Sequence, residues 1–398
     1  TGLCEGKGGS MHVTDRSLGV LGANGIVGAG YLLAMGAAFT IKQEGRKEVS
    51  VVFAGDGSVK QGMFHEAMNM ASLFELPLLV VVENNLYGEF TALEKHSAEP
   101  NLHKRLNAYR IPARRLDGND AGELWGEMAD TINQVRKDGR PRMVELMTYR
   151  HHGHMEGESE LYRPLGEKEA YLGRDPILLH QKRLLDQKMA TEQEIKDLEN
   201  QVRQNVADAV SFAIESPQPE SFELSTRVYF PDDASLFDGD IARNAAGSDL
   251  SVAQSINQAI SEEMKRDSRV FLWGEDVTLG GYFSVTEGLV DIFGRERIID
   301  TPISEYGIVG GAVGAAMTGM RPICEILFSD FLTCCMDPIF NQAAKLRYMT
   351  GGQVTMPLTV RTPVGAGVGM AAQHSQSMER FFFGVPGLMV VAPSDPYT

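Results

Sequence analysis

Val51-Val52-Phe53-Ala54-Gly55-Asp56-Gly57-Ser58 is followed, after a helix-sized gap, by Val80-Val81-Val82-Glu83-Asn84-Asn85. Each stretch is an apolar run ending in polar residues. Between them, over 61–74, Phe64, Ala67, Met68 and Ala71 recur at helical spacing. The pattern predicts strand, helix, strand. In a parallel sheet the carboxyl ends of both strands open onto one crevice, so Asp56 and Asn85 arrive at one place. An anionic and a neutral oxygen there suit Mg²⁺, which keeps few protein ligands and takes its remaining oxygens from phosphates and water. The pattern predicts a diphosphate clamped through magnesium. The plain alternative is that Gly55-Asp56-Gly57 is only a turn after a strand.

Composition bounds the rest. A chain of 398 residues, 43% hydrophobic and 23% charged, is long enough for two or three domains with sizeable cores. Its net charge of −16 argues against nucleic-acid and anionic-membrane partners, which demand a basic surface. No apolar run approaches the roughly 20 residues of a membrane span, and residues 1–20 lack a signal peptide's apolar core. A soluble, cytoplasmic protein is expected. Cys4, Cys324, Cys334 and Cys335 form no CxxC pair, so reduced thiols serving as small buried groups are the simpler expectation.

Two α/β blocks of different sequence flank a polar divider. The first continues through a strand over 142–147 and the turn His151-His152-Gly153-His154 into a charged helical hairpin over 175–215, where Thr191-Glu192-Gln193-Glu194 has the capping-box pattern. Pro, Asp, Ser and Gly then predict a linker. A new rhythm starts at Leu250: a helix over 251–265 burying Val252, Ile256, Ala259 and Ile260, then a strand over 269–273. Strands at 298–303, 322–327, 357–362 and 388–391 follow, with helices at 307–320 and 330–350.

Gly-Asp-Gly followed about thirty residues on by Asn-Asn resembles the fingerprint of thiamine diphosphate enzymes. Gln61-Gly62-Met63-Phe64-His65-Glu66-Ala67 and Glu83-Asn84-Asn85-Leu86-Tyr87-Gly88 are similar to the alpha subunit of the E1 component of 2-oxo acid and acetoin dehydrogenase complexes. Asp300-Thr301-Pro302-Ile303-Ser304-Glu305, Asn341-Gln342-Ala343-Ala344-Lys345 and Ala372-Gln373-His374-Ser375-Gln376-Ser377 resemble the start of its beta subunit. Alpha-like and beta-like text in one chain implies either a natural fusion or an artificial joining of two. The resemblance implies an α/β fold of two thiamine diphosphate-binding domains, each a parallel sheet flanked by helices. The diphosphate-binding domain would occupy 1–230, a linker 231–248 and the pyrimidine-binding domain 249–398, with cofactor held between the two.

The same resemblance implies residue roles. Asp56, Asn85 and the carbonyl of Tyr87 would bind Mg²⁺, with Gly55, Gly57 and Ser58 at the diphosphate. Gly25 and Val27 would approach the aminopyrimidine by backbone, and Ile303 and Phe331 would lie along it. Thiamine diphosphate reacts through the C2 carbanion of its thiazolium. Its own aminopyrimidine removes the C2 proton, provided a carboxylic acid holds N1′, and a buried glutamate with a raised pKa can do so. Glu305 is that candidate, its alternative being a cap on the following helix; Phe331 has a plain core alternative. His374 matches the histidine near the reacting carbonyl and incoming lipoyl group. His152 and His154 match the His-Gly-His loop beside the diphosphate, for which a zinc site is the alternative. Met155 stands where some members carry a regulatory serine, and Glu89 near where many place an apolar wedge.

The glycines of Gly22-Ala23-Asn24-Gly25-Ile26-Val27-Gly28-Ala29-Gly30 fall as GxxGxxGxG, not as the nicotinamide fingerprint GxGxxG. The chain opens within alpha-like text and closes within beta-like text, short of the family's Tyr-Arg diphosphate contact and its beta C-terminal domain. The implied activity is cleavage of acetoin through a C2-carbanion adduct, with transfer to the lipoyl group of an E2 acyltransferase, by a homo-oligomer. His154-Met155-Glu156-Gly157-Glu158 and Arg361-Thr362-Pro363 look nearer the acetoin branch than the pyruvate branch. A pyruvate or other 2-oxo acid E1 is the alternative carbonyl chemistry, and a noncatalytic fragment that keeps the fold without the site is a third.

Overall fold

The computed structural model describes residues 2–230 and 249–396, so the expected linker over 231–248 lies outside the described residues. In chain order the helices and strands are α1 (Ala29–Gln43), β1 (Ser50–Gly55), α2 (Gly62–Leu73), β2 (Leu78–Asn84), β3 (Tyr87–Gly88), β4 (Thr91–Ala92) and α3 (Leu93–His96). Then come β5 (Ala113–Asp117), α4 (Ala121–Asp138), β6 (Arg142–Met147), α5 (Glu167–Leu172), α6 (Pro176–Asp186) and α7 (Glu192–Glu215). The remainder holds α8 (Val252–Arg266), β7 (Val270–Gly274), α9 (Leu289–Phe293), β8 (Ile298–Asp300), α10 (Glu305–Met317), β9 (Arg321–Glu325), α11 (Leu346–Met349) and β10 (Thr359–Arg361). The described residues divide into two compact units: Val51–Gln61 with Pro77–Ser221, and Gly2–Ser50 with Gly62–Leu76 and the described part of Phe222–Thr398.

The first unit is built on a sheet of order β1-β2-β6-β5, whose β2–β6 and β5–β6 ladders are parallel. β2 is buried along Leu78–Val82, as a near-continuous apolar run in a covered parallel sheet must be. The expected strand–helix–strand is present in the chain, with β2 and most of β1 in this unit and α2, whose Phe64, Ala67, Met68 and Ala71 are buried as expected, counted in the second. α7 starts on the predicted capping box: the Thr191 side chain accepts from the Glu194 N–H while Glu194 reaches back to the Thr191 N–H.

The second unit holds the sheet β10-β9-β7-β8, parallel throughout. Two helices of this unit, α1 and α10, are apolar all round and buried along nearly their whole length. Their glycines let backbone meet backbone. A Cβ on Gly36 would lie 1.9 Å from the Gly311 carbonyl oxygen, and one on Gly314 2.2 Å from that of Leu33.

Several sequence expectations shift. α8 buries Ile260 and Met264 with Ala253 and Ile256 against them, whereas Val252 and Ala259, a seven-residue pair on another face, are exposed. The single helix expected over 330–350 is a 3-10 segment at Ser329–Cys335, a π-helical turn at Pro338–Ala343 and short α11; Pro338 lacks an N–H and interrupts the ladder. The strand expected over 298–303 ends at Asp300, and 388–391 joins no ladder, with Met389, Val390 and Val391 exposed. Cys4, Cys324 and Cys335 are buried free thiols, but Cys334 is exposed.

Gly36→Ala should therefore destabilise the protein. Alanine gains about 1 kcal/mol of helix propensity over glycine, but overpacking costs about 1–3 kcal/mol or more, and here the obstacle is unyielding backbone. Thermal unfolding of the variant checks this: a lower melting temperature is expected, and an equal or higher one would show that the helices part without cost.

Candidate active site

In the first unit, β1 delivers Asp56 into a 3-10 turn, Asp56–Lys60. The Asp56 side chain is shut off from water (0% exposed), yet neither carboxylate oxygen has a hydrogen-bond partner. The Lys60 Nζ donates to Asp56's backbone carbonyl (3.0 Å), and the His96 Nε2 lies 3.2 Å from Oδ2. Burial pushes the carboxyl's pKa up, against the pull of His96 and Lys60. Burial also brings Lys60 down to about 8, helped by Arg105.

β2, the neighbouring strand, ends at Asn84, and the two asparagines have separate work. Asn84 is committed: its Nδ2 donates to Glu145 (2.8 Å) and its Oδ1 accepts from the Leu86 N–H (3.2 Å). Asn85 is half-buried, and its Oδ1 accepts from the Tyr87 N–H (3.1 Å) across Leu86, which sits at φ 72°. Tyr87 opens the β3–β4 hairpin, and its hydroxyl donates to Glu167 (2.8 Å). The turn after Asp56 and this hairpin touch: a Cβ on Gly57 would lie 3.2 Å from the Gly88 Cα. Ser58 Oγ donates to the Gly55 carbonyl (2.6 Å), which tightens the turn. An oxygen-rich set with a buried, donorless carboxylate at its centre fits a hard divalent cation.

The histidine loop is open. His152 and His154 are exposed; the Arg150 Nη1 lies 3.3 Å from His154 Nδ1, and the same guanidinium donates through Nη2 to the Glu89 carbonyl (2.6 Å). His151 faces Asp175 (3.5 Å).

In the second unit, Glu305 is the first residue of α10 and is half-buried, short of the full burial expected from its place after an apolar strand. Two carboxylates that sequence reasoning missed stand near it. Glu66 on α2 accepts from the Gly307 N–H (2.7 Å), and burial with the Glu305 charge raises its pKa. Glu275, just past β7, is pushed up to about 7 by burial, then by Glu305 and Asp276. Glu66 lies within the alpha-like stretch 61–67, and a carboxylate at the carboxyl end of a parallel strand was an available signal for Glu275.

Phe331 and His374 come together, with ring centroids 5.3 Å apart at 79°, both rings also edge-on to Phe328. Asp330 fastens this pair by accepting from the backbone N–H and Nε2 of Gln376. Ile303 is 80% exposed. A Cβ on Gly25 would come 3.0 Å from His12 Nε2, and Val27 is exposed.

Residues 1–221 match the family model of the dehydrogenase E1 component, and residues 248–398 match the pyrimidine binding domain of transketolase. The chain belongs to the dehydrogenase E1 component family, which are thiamine diphosphate-dependent oxidoreductases. The alpha subunit of acetoin:2,6-dichlorophenolindophenol oxidoreductase from Bacillus subtilis is 43% identical over 58% of this chain and 68% of its own length. The beta subunit of the same name from that organism is 48% identical over 37% of this chain and 47% of its own, so the chain spans about half of that relative. The pyruvate dehydrogenase E1 alpha subunit of Rickettsia felis is 38% identical over 58% and 70%. A crystal structure of transketolase from Campylobacter jejuni superposes with a TM-score of 0.62 over 97% of this chain and 60% of that one, at 19% identity, a likeness of fold alone.

The raised Glu275 carboxyl carries a pH signature. The folded protein holds a proton that the unfolded chain releases above about 4.5, so this contribution to stability is complete at acid pH and falls as pH rises towards about 7. Glu275→Gln removes that decline. Melting curves at about pH 5 and about pH 8 should differ less for the variant than for the parent; an unchanged difference would show that Glu275 titrates normally.

Proposed function

We propose that this chain carries the thiamine diphosphate- and Mg²⁺-dependent cleavage of acetoin, passing the acyl or hydroxyalkyl group to a lipoyl-bearing E2 acyltransferase. The observation that carries the substrate choice is the double likeness: the two halves are similar to the alpha and beta subunits of one acetoin oxidoreductase. The buried, donorless Asp56 supports the metal reading. Thiamine diphosphate, when bound, would supply a nucleophilic thiazolium carbon for the substrate carbonyl.

The chain's own residues do the rest. Asp56, Asn85 and the Tyr87 carbonyl hold the metal, and Gly55, Gly57 and Ser58 line the diphosphate. Glu305 holds a proton against N1′ of the aminopyrimidine, with Gly25, Val27, Ile303 and Phe331 positioning that ring. Glu66 and Glu275 stand near Glu305, and burial together with the Glu305 charge raises the pKa of both. His374, fixed edge-on to Phe328 and Phe331, offers a hydrogen bond to the reacting carbonyl. His152 and His154, exposed on their loop, move protons near the diphosphate end. The division into a diphosphate-binding domain over 1–230 and a pyrimidine-binding domain over 249–398, assembly into a homo-oligomer and a cytoplasmic location belong to the same proposal.

Dye reduction with 2,6-dichlorophenolindophenol as acceptor tests it. Acetoin should support turnover in the presence of thiamine diphosphate and Mg²⁺; faster reduction with pyruvate would favour the 2-oxo acid alternative, and no reduction or cofactor-induced thermal shift with either would favour a noncatalytic chain. Glu305→Gln keeps the shape but not the acid. It should lower turnover by about 10² to 10⁴ while cofactor affinity holds; undiminished turnover would leave Glu305 as the start of a helix and no more.

A further inference from the structure

α3 is a single helical turn that follows the Tyr87–Ala92 hairpin directly and ends at His96. The Leu93 N–H donates to the Leu86 carbonyl (2.8 Å), and Leu93 is buried, so the turn is pinned to the loop carrying Asn85 and Tyr87. The His96 side chain is 16% exposed, and its Nε2 lies 3.2 Å from Asp56 Oδ2. Both ring nitrogens are buried, and neither has a hydrogen-bond partner among the described residues. The imidazole lies on Gly88, where an added Cβ would come 3.2 Å from Nε2 and 3.4 Å from Cδ2. The ring is boxed in, and the polar group within its reach is the Asp56 carboxylate.

A carboxylate that gives one oxygen to a small octahedral cation leaves the other in a dry site, free to rotate and without a donor. Ligating side chains are commonly held by such an outer partner, which fixes their orientation. We propose that His96 is a positioning residue for Asp56: the tautomer with its proton on Nε2 donates to Oδ2 and leaves Oδ1 facing the metal. One loop thereby sets two ligands and the orientation of a third, through Asn85, Tyr87 and His96. This inference rests on the reading of Asp56 as the metal ligand. A direct imidazole ligand is the rival role, disfavoured because Mg²⁺ selects oxygen whereas imidazole suits transition metals.

The experiment uses the full chain and titrates Mg²⁺ calorimetrically in the presence of thiamine diphosphate. His96→Gln keeps a donor near the Nε2 position; His96→Met keeps the bulk and removes it. Loss of an outer partner costs about 10- to 100-fold in metal affinity, so His96→Met should weaken Mg²⁺ by that factor and His96→Gln by far less, with melting temperatures of the metal-free proteins unchanged. His96→Leu, likewise without a donor, should weaken Mg²⁺ by the same factor and serves if His96→Met does not fold. Parent-like affinity in His96→Met, or equal weakening in His96→Met and His96→Gln, overturns the proposal. So does a nitrogen coupling in the electron spin echo spectrum of the Mn²⁺-loaded parent that is absent from His96→Met, for it would make His96 a ligand. Asp56→Ala separates the two levels: if it binds Mg²⁺ and thiamine diphosphate as tightly as the parent, the Asp56 reading itself has failed.

Discussion

A carboxylate sealed from water, with only an imidazole edge 3.2 Å from one of its oxygens among the described residues, is the constraint around which the first unit is arranged. Desolvating a charge is costly, and proteins normally meet the cost with donors. The same sheet shows that ordinary solution at Glu145, equally sealed on β6. Burial there works to raise the pKa, but Arg115, Asn84 and His103 all donate to the carboxylate, and it ends at about 2. Glu145 is a finished structural knot. Asp56, at the end of β1 in the same sheet, has the His96 Nε2 3.2 Å from Oδ2, and its carboxyl is shifted the other way. Two buried acids of one sheet thus meet opposite electrostatic fates.

The second unit meets a different constraint. α10 begins at Glu305 and is gripped by α1 through backbone contacts that only glycine permits, so the start of α10 has little freedom to shift. Glu66 is held on the Gly307 N–H at the same helix start. Glu66 and Glu275 are both raised by burial and by the Glu305 charge, with no basic side chain among the causes of either shift.

Much of this was legible in the sequence. The strand–helix–strand around Asp56 announced itself by two apolar runs and one helical period, and the cap at Thr191 by local hydrogen-bonding chemistry that needs no tertiary partner. Phe331 and His374 were each singled out by family resemblance, but their contact across 43 positions of chain appears only in the structure. What escaped notice depends on tertiary contact. The buried face of α8 is decided by β7 and α9, not by which apolar residues it carries. The apolar run at Leu388 looks like a strand, but without a partner its backbone stays unladdered. His96 ends a four-residue turn with no periodicity to mark it, and its meaning appears only when Asp56, forty positions earlier, is brought to 3.2 Å.

The account depends most on Asp56 being a carboxylate that awaits a divalent cation and, through it, a diphosphate. Calorimetric titration of thiamine diphosphate into the protein, with Mg²⁺ and then with the ion chelated away, measures this directly. The account predicts a saturable binding heat that appears with Mg²⁺ and vanishes without it; binding that is indifferent to the ion, or no binding in its presence, would contradict it.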